Sequence, residues 1–464
     1  MLYIDQPNQV GFSYDVATNG TLDNSASTTT PIDFGAGPIP AQNLTFYVGT
    51  FSSQKPTTAA NTTENAAKAM WHFAQTWFTE FPEYKPNDDK ISLWTESYGG
   101  RYGPAIFSYF ERQNKLIQLG VVRGPHAKIL HLDTLGIING CIDLLEQSSS
   151  YPKMAWNNTY GIKVYDESIY KQAMRAFSQA GGCRDKINIC RSLSKQRDPD
   201  DTGANSEVNT ACRIADNVCQ GVENAFNAYG NRGYYDIAHG THDPFPPDYF
   251  LGYLNTAEVQ SALGAVVNYT ESSNAVGYGF QATGDYPRGN FTEDLGYLLD
   301  NKIKVHLLYG DRDYACNWYG GEAVSLKVPY AHLTNFRNAG YTPVNMNQET
   351  KAYTRQFGNY SFTRIMQSGH EVPAYQPELA LELFERAMFN RDIATGKVDT
   401  ISNMVVTRGR NTTDDVHEVP PALPDNICYI LDQASCTDAQ WSTVVDGTAI
   451  VKDNVWVGPR PGKP

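Results

Sequence analysis

The chain has 464 residues, of which 41% are hydrophobic and 12% aromatic, so it has enough apolar material for a large globular core. Its formal net charge is −13 at pH 7, which argues against nucleic acid or an anionic membrane as a partner. The longest apolar runs have the length of β-strands, so the sequence predicts no membrane span.

The N-terminus lacks the basic segment and apolar stretch of a signal peptide. Leu2-Tyr3-Ile4 instead predicts a buried strand at the very start of the chain. Natural domains seldom begin so abruptly on a buried strand.

Strands and helices alternate in two parts of the chain. Apolar runs predict strands at residues 90–94, 135–138, 305–309 and 362–366. Periodic apolar faces predict a helix from Asn61 and further helices at residues 102–113 and 377–389. This alternation is typical of a mostly parallel sheet covered by helices on both faces.

Changes in this pattern divide the chain into four predicted segments. Residues 1–147 and 295–390 form the two parts of one α/β domain. Residues 148–294 carry helical patterns, paired cysteines and Pro- and Gly-rich loops, and they predict an insertion (cap) domain over one end of the sheet. Residues 391–464 are polar and irregular, and they predict a C-terminal extension.

Cysteines and glycosylation sequons indicate an oxidising, secretory route. Four cysteines have spacings of seven, 22 and seven, and two more form a close pair: Cys183, Cys190, Cys212, Cys219, Cys428 and Cys436. A spacing of seven excludes the usual zinc pattern and favours disulfides, and we predict no metal and no cofactor. Eight Asn-x-Ser/Thr sequons occur, at Asn19, Asn43, Asn61, Asn157, Asn268, Asn290, Asn359 and Asn411.

A serine follows the predicted strand at residues 90–94 and precedes a helix, as in a nucleophile elbow. The turn would lift the Ser97 hydroxyl above the sheet, and the backbone N–H of Tyr98 would stabilise an oxyanion. Thr95 stands where this motif usually has glycine. The alternative interpretation is an ordinary strand–helix turn with a capping serine.

Two further polar residues follow predicted strands. Asp313 comes after the strand at 305–309, and His370 comes after the strand at 362–366. Parallel sheets place their sites at the carboxyl ends of strands, so we expect these residues to meet Ser97. The order Ser…Asp…His is that of α/β-hydrolases, and it predicts a triad in which His370 lies between Ser97 and Asp313.

At these residues the sequence resembles the serine carboxypeptidase family, most closely its secreted fungal members. The family's Gly-Glu-Ser-Tyr-Ala/Gly-Gly-His-Tyr motif matches residues 95–102 with substitutions. Residues 311–318 resemble the family's acid segment, and Gly369-His370-Glu371-Val372-Pro373 matches its histidine segment. Residues 5–7 and 11–14 match another family block, and the resemblance covers residues 1–390.

The resemblance implies an α/β-hydrolase fold and removal of C-terminal residues from peptides through an acyl-enzyme. It implies that Glu96 binds the substrate carboxylate, that Tyr98 lines the pocket preceding the scissile bond, and that Glu371 contacts the leaving residue. Cys316 resembles a site-proximal unpaired thiol, so Cys316 and Cys141 are expected to be free. The alternatives are a capping Glu96, a solvent-facing Glu371 and a buried core Cys316.

The resemblance also implies nested bridges in the insertion, Cys183–Cys219 and Cys190–Cys212. The close cysteine pair predicts a separate Cys428–Cys436 bridge. Together with the sequons, these bridges predict a secreted glycoprotein of extracellular or vacuolar location.

The family's Asn-Gly-Gly-Pro-Gly block has no counterpart in the sequence. The resemblance therefore implies that the chain is N-terminally truncated and that the first strands of its sheet are missing. In the family this block supplies an oxyanion donor and leads to the acid that partners Glu96. Without that partner, Glu96 is expected to ionise like an ordinary carboxylate, and the chain to have little activity. Acyl transfer to an alcohol by the same triad, or a catalytically silent glycoprotein, remains open. The expected partners are peptides or proteins with a free C-terminal carboxylate.

Overall fold

The computed structural model describes residues 1–460 apart from positions 82 and 126. Its strands are β1 (Thr18–Asp23), β2 (Thr28–Pro31), β3 (Phe46–Phe51), β4 (Lys90–Glu96), β5 (His131–Ile138), β6 (Lys304–Gly310), β7 (Thr342–Met346), β8 (Glu349–Phe357), β9 (Tyr360–Ile365), β10 (Ala449–Lys452) and β11 (Val455–Pro459).

The first eight helices are α1 (Thr63–Glu80), α2 (Gly99–Gln118), α3 (Leu144–Gln147), α4 (Ser150–Trp156), α5 (Glu167–Ser178), α6 (Cys183–Arg197), α7 (Ser206–Glu223) and α8 (Ala225–Tyr229). The others are α9 (Phe250–Leu254), α10 (Ala257–Leu263), α11 (Asn274–Thr283), α12 (Phe291–Asp300), α13 (Trp318–Ser325), α14 (Leu333–Asn338), α15 (Val372–Tyr375), α16 (Pro377–Met388) and α17 (Asp438–Val445).

The chain packs as two compact units. The larger unit contains residues 62–238 and 283–421, and the smaller unit contains residues 1–61, 239–282 and the described part of 422–464. Compact packing and functional domain boundaries are different properties, so the boundaries predicted after residues 147, 294 and 390 stay predictions.

The larger unit is built on a six-stranded sheet with the order β4-β5-β6-β9-β8-β7. Strands β4, β5, β6 and β9 are parallel, and β8 and β7 continue the sheet antiparallel. The predicted mostly parallel sheet is confirmed. Because β4, β6 and β9 run in the same direction, the residues that follow them emerge at one edge of the sheet.

Both faces of this sheet are covered. Successive side chains of a strand point to opposite faces. Accordingly, Leu307 belongs to the apolar cluster that includes residues of α1, α2 and α12, whereas Leu308 belongs to a second cluster with residues of α16. Helix α1 begins after Thr62, whose side chain caps it by accepting from the N–H of Asn65, so the helix starts two residues after the predicted start at Asn61.

The smaller unit contains the antiparallel sheet β2-β1-β3 and the hairpin β10-β11. Helix α17 precedes that hairpin and begins with a capping box between Thr437 and Gln440. The buried strand predicted at residues 2–4 is wrong. Tyr3 is 85% exposed, and residues 2–4 belong to none of the strands in the described part of the chain, because apolar side chains alone do not form a strand without a pairing neighbour.

Candidate active site

Ser97 occupies a strained turn between β4 and α2. Its φ is +59°, in the left-handed region that non-glycine residues rarely adopt, at a cost of about 1–3 kcal/mol. The turn is held on both sides, since the N–H of Ser97 donates to Ile138 O at 3.1 Å and its carbonyl accepts from Cys141 N at 2.9 Å. The strand, turn and helix of the predicted nucleophile elbow are therefore present.

The first residue of the elbow motif, Thr95, is accommodated by two glycines of α2. A Cβ on Gly99 would lie 2.5 Å from Thr95 Cβ, and one on Gly103 would lie 3.0 Å from Thr95 Oγ1. The threonine hydroxyl also donates to Gly99 O at 2.9 Å. Because Gly99 and Gly103 have no Cβ, helix α2 leaves room for a threonine where the motif usually has glycine.

Asp313 and His370 form a buried pair at the same edge of the sheet. His370 Nδ1 lies 2.8 Å from Asp313 Oδ2, and the two residues are 5% and 0% exposed. An ionised carboxylate only accepts hydrogen bonds, so Nδ1 carries the proton and Nε2 is left to act as a base. The backbone N–H of His370 donates to Tyr235 O at 2.9 Å, and the Tyr235 ring lies 4.9 Å from the imidazole, centroid to centroid.

The segment between β5 and α3 connects the nucleophile turn to this pair. Asn139 Nδ2 donates to Asp313 Oδ2 at 2.8 Å, and Cys141 N donates to Ser97 O. A Cβ on Gly100 would meet Cys141 N at 2.8 Å, so α2 and this segment are in close backbone contact. The predicted hydrogen bond from Ser97 to His370 stays a prediction.

Burial and the neighbouring charged groups shift the pKa values of His370 and Glu96. Burial of the imidazole favours its neutral form, but Asp313 outweighs burial, with contributions from Glu96 and Glu371, and holds the pKa of His370 above its ordinary value. Burial raises the pKa of Glu96 to about 7, opposed by His370 and reinforced by Glu371 and Asp313. The expectation that Glu96 ionises like an ordinary carboxylate is therefore wrong, because its burial disfavours the charged form. The low activity that was expected from an ionised Glu96 no longer follows.

The Tyr98 side chain is anchored in the larger unit beside the turn. Its hydroxyl donates to Asp285 Oδ2 at 2.5 Å, and burial raises its pKa well above the ordinary value. Arg101, which replaces the family's histidine, is 1% exposed and places its guanidinium carbon 3.9 Å from the Tyr286 ring centroid. The Arg101 guanidinium also donates to Tyr286 O at 2.8 Å. Tyr98 is thus oriented by residues that lie far away in sequence.

Two of the remaining predicted residues differ in exposure. Glu371 precedes α15 and is exposed, next to His370. Cys316 is buried and joined to Cys141 by a disulfide with a Cα–Cα distance of 5.0 Å, so the expectation of two free thiols is wrong. The physical reason is that the loops after β5 and β6 meet at one edge of the sheet, and Cys141 and Cys316 lie on those loops.

The other six cysteines pair as the sequence and the resemblance imply. The structure contains the nested bridges Cys183–Cys219 and Cys190–Cys212 between α6 and α7, and the bridge Cys428–Cys436. Among the described residues, no cysteine is free and no group of three His, Cys, Asp or Glu side chains could hold a metal ion. In the same residues, no helix is both long and apolar enough to cross a bilayer.

The sequons differ in how accessible their side chains are. Five are exposed, at Asn19, Asn43, Asn157, Asn290 and Asn411. Asn61, Asn268 and Asn359 are partly buried, and Asn359 Nδ2 donates to Ile303 O at 3.1 Å. The amide nitrogen that would carry a glycan is thus engaged at Asn359.

The sequence interpretation missed Asn139 and Tyr235. Asn139 directly follows the strand predicted at residues 135–138, and this position at the carboxyl end of a parallel strand is itself a signal for a site residue. Tyr235 lies in the segment predicted to be an insertion, and its contact with the histidine segment leaves no local pattern. A cavity of about 850 Å³ lies within the smaller unit and is lined by none of the predicted catalytic or substrate-binding residues.

Comparison with known proteins agrees with this geometry. A sequence model of the serine carboxypeptidase family matches residues 1–390. The chain is 51% identical to carboxypeptidase S1 homolog A of Arthroderma otae, covering 99% of this chain and 71% of the relative. It is 44% identical to a carboxypeptidase Y homolog of Arthroderma benhamiae over 99% of this chain and 74% of the relative. Carboxypeptidase S1 of Penicillium janthinellum is 32% identical, covering 85% of this chain and 79% of that relative.

A solved structure shows the same fold. The crystal structure of Kex1(delta)p, a prohormone-processing carboxypeptidase from Saccharomyces cerevisiae, superposes with a TM-score of 0.55 at 20% identity, covering 74% of this chain and 73% of that chain. At this identity the likeness concerns the fold alone, and it confirms the expected α/β-hydrolase class. The family match and the curated relatives extend the agreement to function: the chain belongs to the serine carboxypeptidase family, which hydrolyses peptides from their C-terminal ends.

Proposed function

We propose that this chain cleaves the C-terminal peptide bond of its substrates through an acyl-enzyme at Ser97, with His370 as the base and Asp313 as the orienting acid. The observation that carries the proposal is the buried His370–Asp313 pair at 2.8 Å, on the same sheet edge as a serine with a φ of +59°. Its pairing with Asp313 fixes the tautomer of His370 that a general base needs.

The proposed reaction has two halves. His370 Nε2 accepts the Ser97 proton as Oγ attacks the scissile carbonyl carbon, and the N–H of Tyr98 donates to the developing oxyanion. The protonated His370 then gives its proton to the leaving nitrogen, so the C–N bond breaks and an ester remains on Ser97. Water, deprotonated by His370, hydrolyses that ester and restores the serine.

Recognition of the substrate terminus is assigned to Glu96. With a pKa raised to about 7, its carboxyl group keeps its proton in mildly acidic solution and can donate to the substrate carboxylate. Once ionised, it repels that carboxylate instead. Peptides with a free C-terminus are therefore the proposed substrates.

Two further side chains are assigned to substrate contact. Tyr98 lines the pocket for the residue before the scissile bond, and its fixed orientation through Asp285 supports a shaped pocket. Glu371, which adjoins His370, contacts the leaving residue. Cys316 contributes no thiol, since its sulfur is bonded to Cys141.

The proposed cellular route is the secretory pathway, with an extracellular or vacuolar destination. Four disulfides need an oxidising compartment in ordinary cells. The exposed sequons are the proposed glycosylation sites. Asn268 and Asn359 are less favoured because both amide nitrogens are engaged: Asn268 Nδ2 donates to Asn255 Oδ1 at 3.4 Å, and Asn359 Nδ2 donates to Ile303 O.

The test uses one peptide with a free C-terminus and the same peptide with a C-terminal amide. We expect the folded chain to release the last residue of the free peptide, as measured by mass spectrometry, and to act weakly on the amide at pH 6. Ser97→Ala abolishes the release, whereas Ser92→Ala, which changes a serine on the preceding strand β4, retains it. Absence of release by the wild type, or release that survives Ser97→Ala, overturns the proposal.

A further inference from the structure

Each half of the Cys141–Cys316 disulfide holds one proposed catalytic residue through its own backbone. The N–H of Cys141 donates to the carbonyl of Ser97 at 2.9 Å. The N–H of Cys316 donates to Asp313 Oδ2 at 3.1 Å. The sulfur–sulfur bond therefore joins the two residues that fix the nucleophile turn and the acid.

The two loops come from distant parts of the chain. Cys141 and Cys316 are 175 residues apart in sequence, and their Cα atoms are 5.0 Å apart. Cys141 follows β5 and Cys316 follows β6, which pair in parallel. The bridge thus closes the gap between neighbouring strands at the edge where the site lies.

The surrounding contacts make the bridged segment tight. Gly140 O accepts from the Tyr309 hydroxyl at 2.6 Å, and Asn139 Oδ1 accepts from Gly310 N at 2.9 Å. Asn139 has a φ of +40°, so its backbone is strained. A strained turn in close backbone contact with α2 transmits a shift of Cys141 to Ser97, because packed elements do not deform freely.

We propose that the Cys141–Cys316 disulfide is a positioning element, which fixes the nucleophile turn relative to the Asp313–His370 pair and so sets the turnover rate. The proposal rests on the proposed function, because it concerns the same three residues. Loss of the bridge frees Cys141 and Cys316 to move apart. Because the N–H of Cys141 is bonded to Ser97 and that of Cys316 to Asp313, Ser97 and Asp313 then shift relative to each other. A misplacement of about 1 Å between reacting groups costs up to about 100-fold in rate.

The bridge also bears on the charge of His370. The groups that face the imidazole are the Asp313, Glu96 and Glu371 carboxyl groups and the Tyr235 ring. Burial favours the neutral imidazole and Asp313 opposes burial. If Asp313 moves away after loss of the bridge, burial dominates and the pKa of His370 falls.

The test compares two double variants of the full chain. Cys141→Ala with Cys316→Ala removes the proposed positioning bridge, and Cys428→Ala with Cys436→Ala removes a bridge of the smaller unit as the matched control. Three quantities are measured well below the unfolding temperature of each variant: kcat, KM and the pKa of His370. The pKa comes from NMR of histidine labelled at Cε1, with the signal assigned by its absence in His370→Gln.

We expect the first variant to lose between about 10- and 100-fold in kcat, to keep KM within about twofold, and to show a lower His370 pKa. The control variant keeps all three values. A folded first variant with the kcat and His370 pKa of the wild type overturns the proposal, because a bridge that only adds stability gives this result.

Failure of the proposed function is recognised separately. In that case the wild type releases no C-terminal residue in a Ser97-dependent manner. The His370 pKa still decides the positioning claim then, since its measurement needs no turnover. An unchanged pKa in the first variant rejects the claim, and a lowered pKa supports it.

Discussion

The disulfides of the larger unit fall into two groups that differ in sequence separation. The bridges between α6 and α7 join cysteines 36 and 22 residues apart, on two helices that pack against each other. The Cys141–Cys316 bridge spans 175 residues and joins two loops at the sheet edge. The first group leaves a regular spacing in the sequence, whereas the second leaves none. A disulfide between two loops that the sheet brings together is therefore harder to predict from the sequence than a disulfide between neighbouring helices.

The largest expected effect is that of replacing Asp313, the proposed orienting acid. We expect Asp313→Asn to lower kcat by about 10⁴-fold, because an amide can no longer hold the correct tautomer of His370. Steady-state kinetics on a peptide with a free C-terminus measures it. The matched control, Asp300→Asn, changes an exposed aspartate of the same unit and retains activity. An Asp313→Asn variant with normal kcat rules out Asp313 as the orienting acid.

The second prediction compares the two disulfide groups in stability. Loop-closure entropy assigns about 5 kcal/mol to the bridge spanning 175 residues and about 3 kcal/mol to the bridge spanning 22 residues. Urea unfolding of Cys141→Ala/Cys316→Ala and Cys190→Ala/Cys212→Ala measures the two losses. The variant without the Cys141–Cys316 bridge should lose more free energy of unfolding than the variant without the Cys190–Cys212 bridge. The reverse order would contradict the loop-length argument.

The third prediction concerns Glu96, whose pKa burial raises to about 7. The protonated form dominates below that pH and donates to the substrate carboxylate, so KM should rise about tenfold between pH 6 and pH 8. In Glu96→Gln the amide donates at every pH, so this rise should disappear. Initial rates on the free peptide measure KM, and an amidated peptide is the control substrate. A rise that persists in Glu96→Gln contradicts the assignment.

The smallest expected effect concerns Glu371, which is exposed and therefore screened by solvent. Its charge contributes to raising the pKa of His370, so Glu371→Gln should lower that pKa, and by less than Asp313→Asn does. The acidic limb of the profile of kcat/KM against pH reports the shift. A larger shift than Asp313→Asn produces would mean that the roles of the two carboxyl groups are reversed.

Much of the fold could be predicted because strands and helices leave local periodic patterns. The strand predicted at 305–309 lies within β6, and the helix predicted at 377–389 matches α16 within one residue. The strand prediction at residues 2–4 was wrong because a strand depends on a pairing neighbour that no local pattern reveals. The smaller unit also escaped prediction, since its three segments come from distant parts of the chain.

The site was predicted to the extent that each residue follows a strand. Asp313 and His370 were recognised from that position, and the structure pairs them at 2.8 Å. Asn139 occupies the same kind of position but was missed, because asparagine at a strand end is also a common turn former. The Cys141–Cys316 bridge was missed because the distance between two loops is set by the sheet, and the sequence does not state it.

The central claim is that Ser97 is the nucleophile of this chain. The most direct test is reaction with a fluorophosphonate, which bonds phosphorus to an activated serine oxygen and expels fluoride, followed by mapping of the adduct by mass spectrometry. The account predicts a single adduct on Ser97, and no adduct in Ser97→Ala. An adduct on another residue, or none on the folded wild type, would contradict it.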